Sequence, residues 1–102
     1  MKTFAVSKVR LDEDGRITDV YWGEVDVGRN DWAGPEHESP VMEAVRALND
    51  GHQVFALFET THGHLPERRF IVVDYDGAWQ TIGLDGPSAP GREVHDMERT
   101  DR

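Results

Sequence analysis

Apolar residues recur with a period of two through the first 26 positions: Phe4, Val6, Val9 and Leu11, then Ile17, Val20, Trp22 and Val25 after a polar break. That period places alternate side chains on one face of a strand. The break, Asp12-Glu13-Asp14-Gly15, has hairpin chemistry, because Gly takes a positive φ without steric cost. The alternation slips one residue after Val6 and again after Ile17. Those slips point to β-bulges or to strands covered on both faces.

The period then changes. Val41, Val45 and Leu48 recur at i, i+4 and i+7 with Ala44 beside them, an apolar stripe on a helix. Ser39 reads as its N-cap, Pro40 as its first helical residue and Glu43 as a first-turn acid. Gly51, after Asn49-Asp50, reads as the left-handed residue that ends it. Two strands follow, over residues 53–60 and 68–75, joined by Thr61-His62-Gly63-His64-Leu65-Pro66-Glu67. Asp74-Tyr75-Asp76-Gly77 repeats the turn chemistry of the first hairpin and leads into a short strand over 79–82.

The expected fold is therefore α+β, a small antiparallel sheet of four to five strands with one helix, in the order β-β-α-β-β with a short fifth strand as an option. Residues 1–84 read as a single α+β domain. Residues 85–102, opening on a Gly/Pro-rich stretch and holding only Ala89, Val94 and Met97 from the apolar class, read as a disordered C-terminal tail. Residues 27–38 read as a long polar connection, of a length that is often functional or mobile. Both central strands are apolar on alternate faces, Val54, Ala56 and Phe58 against Phe55 and Leu57, then Phe70 and Val72 against Ile71, Val73 and Tyr75. A helix of about 11 residues is only ~17 Å long and shields one face. The second face needs the Trp32 loop, curvature of the sheet onto itself, or another subunit.

Composition narrows the class. Of 102 residues, 23 are Val, Leu, Ile or Phe, just above the ~20% below which a highly charged chain stays disordered. The net charge is -9, and -7 of it falls on residues 1–84, so the acidity belongs to the domain surface. Clustered Lys and Arg are lacking, which argues against direct nucleic-acid or anionic-membrane binding. Zero cysteines leave no disulfide, thiol nucleophile or Cys-type zinc site. The N-terminus has no apolar h-region of signal-peptide length, so the expected compartment is the cytoplasm.

Candidate chemistry is sparse. His62-Gly63-His64 is a weak chelating pair for a metal, and two solvated imidazoles explain it as well. The Asp-x-Asp-Gly turns lack the alternating oxygens and the twelfth-position Glu of a calcium loop. Glu36-His37-Glu38 could orient an imidazole, although loop charges this close are usually just solvated. No nucleotide-binding, metalloprotease or nucleophile-elbow motif occurs, so neither an enzyme nor a cofactor is expected. Trp32, flanked by Asn30 and Asp31, stands outside any periodic segment. It reads either as a lid over the sheet or as an exposed interface anchor.

The run Val9-Arg10-Leu11-Asp12-Glu13-Asp14-Gly15-Arg16-Ile17-Thr18-Asp19-Val20, the helix ending Leu48-Asn49-Asp50-Gly51 and the closing Trp79-Gln80-Thr81 resemble a group of short bacterial proteins classed as a domain of unknown function. The resemblance spans residues 5–82 and implies no activity, cofactor or site residues. The family pattern is richer in Arg and Lys where this chain has Trp79-Gln80-Thr81-Ile82. The function expected is a small acidic interaction module with a protein partner or a second copy of itself. The alternatives are an anionic mimic that occupies a basic, nucleic-acid-binding partner, and a metal-binding protein built on the histidine loop.

Overall fold

A computed structural model describes residues 2–26, 28–29, 31–57, 68–75, 79–86 and 93–100. The first hairpin forms from β1 (Thr3–Leu11) and β2 (Ile17–Asp26), antiparallel as its pattern requires. Gly15 takes φ +82, and one Asp12 carboxylate oxygen accepts the backbone N–H groups of Asp14 and Arg16, each at 2.9 Å. The turn is thus held by its own side chain. Both slips are bulges: Ser7 is the extra residue between the Val6–Trp22 and Lys8–Tyr21 pairs, and Thr18 between Arg10–Asp19 and Leu11–Ile17. Each bulge resets the alternation, so Val6, Val9, Ile17, Val20 and Trp22 all reach one core.

The chain between the hairpin and the helix is more ordered than its polarity suggests. β3 (Asp31–Trp32) and β4 (His37–Pro40) both pair antiparallel with the outer edge of β2, β3 with residues 25–26 and β4 with residues 19–22. Ser39 is consequently not a helix cap. It pairs with Val20 in the ladder, is buried, and hands over directly to α1 (Val41–Asn49), whose N-cap position is Pro40 with no side-chain cap bond. The other end follows expectation, with Gly51 at φ +91. Val41, Ala44, Val45 and Ala47 form the buried face of the helix, and Leu48 packs at its margin.

β5 (Gln53–Ala56) returns parallel to β1, so the sheet is mixed and not wholly antiparallel. β6 (Arg68–Tyr75) and β7 (Trp79–Leu84) complete the path β3-β2-β1-β5-β6-β7 with antiparallel pairings. The described residues near the end of the chain are tied to the sheet. Among the described residues of 85–102, a 3-10 turn (Val94–Asp96) leads into β8 (Glu98–Arg99), which pairs parallel with Lys8 and Val9 and takes over the β1 edge where β5 leaves it. Met97 is 3% exposed in the core. Met97 and the partly buried Val94 are too little for a composition-based reading, yet their packing on the core and the ladder bond Thr100 N–H to Val9 O tie the segment down.

Among the described residues there are thus eight strands and one α-helix, more strands than the four or five expected. The helix packs against β2, β4, β5, β6 and β7 at once, because the sheet curls around it. No helix among these residues is long and apolar enough to cross a membrane.

Candidate interaction face

The outer face of the sheet, turned away from α1, is covered over one half and bare over the other. On the β1–β2 half, the segment following β3 folds back over Gly23. A Cβ there would meet Pro35 O at 3.1 Å, Glu36 Cα at 3.3 Å and Trp32 Cε3 at 3.3 Å, so glycine is what lets the segment lie this close. Ala33 N–H donates to Glu24 O at 2.8 Å, and the Ser7 hydroxyl, on the first bulge, donates to a Glu36 carboxylate oxygen. Ala5, across the ladder from Gly23, is buried on this face.

Trp32 belongs to that cover. Its backbone pairs with Val25, its N–H is held by Asp31 Oδ1 at 2.8 Å, and its side chain is half-buried over Gly23. Asp31 itself is exposed, and Asn30 lies outside the described residues. The acids around His37 do not converge on its ring. Glu38 pairs with Arg10 at 2.9 Å and Glu36 holds Ser7, while the imidazole tilts toward Trp22 at 6.5 Å between centroids. His62 and His64 lie outside the described residues, among which no three His, Asp or Glu side chains cluster as a metal site requires.

The β5–β6 half carries no such cover among the described residues. Ile71 is 41% exposed and Val73 37%, both on the outer row of β6, with half-buried Phe55 across from Arg69 on β5. Gly83 stands opposite Ile71 on β7, and Val73 Cγ2 occupies the space its Cβ would need, 3.0 Å away. The strip is flanked by the Arg69–Asp85 pair at 3.4 Å and, behind it, by the Arg68–Glu93 pair at 3.1 Å. Phe55, Arg68, Arg69 and Asp85 line a shallow depression of about 400 Å³. The signal for this face was already present in the double alternation of residues 70–75. Only the fold shows which half of it the Trp32 segment leaves open.

No protein-family model, curated protein or solved structure matches the chain. The resemblance drawn from the first hairpin, the helix end and Trp79-Gln80-Thr81 therefore rests on the sequence alone.

Proposed function

We propose that the protein is a small acidic binding module that docks a protein partner on the bare half of its sheet. The observation that carries this reading is the contrast between two halves of one face, a lid over Gly23 on one side and exposed Ile71 and Val73 on the other. A net charge of -9 favours a partner whose contact surface is basic around an apolar anchor, and it opposes a second copy of the same chain. Binding by occupying a basic surface, as an anionic mimic would, is the limiting case in which charge outweighs the apolar strip. Trp32 acts here through the lid, and Trp32→Ala tests whether the lid itself contributes a contact.

The test compares immobilised wild type with Ile71→Asp, Val73→Asp and Met42→Asp. Met42 is 48% exposed on the helix, away from the strip, and serves as the control. A partner retained by wild type and Met42→Asp, lost by both β6 variants and eluted by salt supports the proposal. Equal retention by all four overturns it, and a mass of two chains by light scattering that Ile71→Asp halves would replace the foreign partner with a second copy.

A further inference from the structure

Among the described residues β5 and β6 pair at Phe55–Arg69 and Ala56–Arg68. Beyond those pairs the strands part, and a slot of about 250 Å³ opens between them. Val54, Phe70, Ile71 and Val72 line it from the two strands and Leu48 from the helix, with His52 and Gln53 adding polar side chains. Among the described residues no acidic side chain lines this slot, and Arg69 is the cationic one that does.

We infer that this slot binds a small apolar carboxylate. The apolar walls take the hydrocarbon body and Arg69 takes the carboxylate, for which the planar guanidinium fork is shaped. The Arg69–Asp85 pair does not forbid this. At 3.4 Å it is longer than a good charge-assisted bond, its side chains are 56% and 44% exposed, and Asp85 stands outside the slot. His52, whose Nδ1 accepts the Lys2 backbone N–H at 3.0 Å, also lines the slot. The volume lies below the ~300–1,000 Å³ usual for drug-sized ligands, which restricts the occupant to a short branched or single-ring acid. A single guanidinium among apolar walls suits a monoanion better than a phosphate, whose second charge would be left unpaired.

The full-length chain, labelled with nitrogen-15, is titrated with 4-methylpentanoate and separately with 4-methylpentanamide. The acid is expected to produce saturable amide shifts at Gln53, Val54 and residues 70–72, with the amide roughly tenfold or more weaker for want of the charged hydrogen bond. Arg69→Gln is expected to bring the acid down to the amide, and Asp85→Asn, which removes the competing carboxylate, to tighten it several-fold. Dispersed spectra of both variants establish that they are folded. Equal affinity for acid and amide, an unchanged affinity in Arg69→Gln, or no saturable shift at these amides overturns the inference.

Discussion

The Thr81 hydroxyl donates a 2.8 Å hydrogen bond to the carbonyl oxygen of Ile17, 64 positions earlier in the chain. The bond joins β7, at one end of the sheet path, to the start of β2 near the other end, so it marks where the sheet has curled back on itself. Thr81 is buried, and water cannot easily replace it. Thr81→Val keeps the shape and leaves the carbonyl without this donor. It is expected to cost about 1–3 kcal/mol by urea denaturation, whereas Thr81→Ser keeps the donor and costs less.

Gly23 decides whether the lid can close. A side chain there must displace the backbone of Pro35 and Glu36 as well as the Trp32 ring. Gly23→Val is therefore expected to lift the segment, shifting the Trp32 indole N–H resonance and raising hydrogen exchange at Ala33, whose N–H otherwise bonds Glu24 O. An unchanged Trp32 resonance would mean that the lid does not rest on Gly23.

Met97 gives the last described segment its hold on the core. Met97→Ala removes a nearly fully buried side chain and is expected to cost about 2–5 kcal/mol. Ending the chain at Arg92 should also expose the β1 edge at Lys8 and Val9 and lower the midpoint of thermal unfolding. A truncated chain as stable as the full one would return this segment to the status of a tail.

Trp22 carries a conflict inside the core. Its ring stacks at a tilt on Phe4, with centroids 4.8 Å apart, while its Nε1 is buried with no hydrogen-bond partner among the described residues. Leaving such a donor unpaired costs about 1–3 kcal/mol. Trp22→Phe sheds that cost together with some packing, so its net effect should stay within about 1.5 kcal/mol. Trp22→Ala should lose about 3–5 kcal/mol. Both follow from urea denaturation, and comparable losses in the two variants would show that the indole N–H is satisfied in solution.

What was readable without the fold is whatever a few adjacent residues decide among themselves. Asp12 and Gly15 close the first turn through bonds and a positive φ that lie within five residues, and Gly51 ends the helix in the same way. The bulges at Ser7 and Thr18 were visible because an extra residue breaks a period of two wherever it falls. The error at Ser39 has the same origin: Ser-Pro before an apolar stripe is good cap chemistry, but the ladder to Val20 offered its backbone a better partner from far away.

The interaction face divides along that line. The two-sided apolar pattern of residues 70–75 announced a second surface in need of cover, while the double alternation is silent about which part is covered. That depends on Gly23 meeting Pro35 and Trp32, on β4 adding to the edge of β2, and on β5 running parallel to β1.

The sequence by itself determined the first turn, the bulges, the helix and its apolar stripe, and a net charge of -9. The tertiary structure alone decided the mixed sheet, the lid, the burial of Met97 and the slot between β5 and β6. The physical reason is distance along the chain. A turn or cap is settled by sterics and hydrogen bonds among neighbours, whereas strand partners are chosen by burial between residues tens of positions apart, and many pairings share the same local pattern.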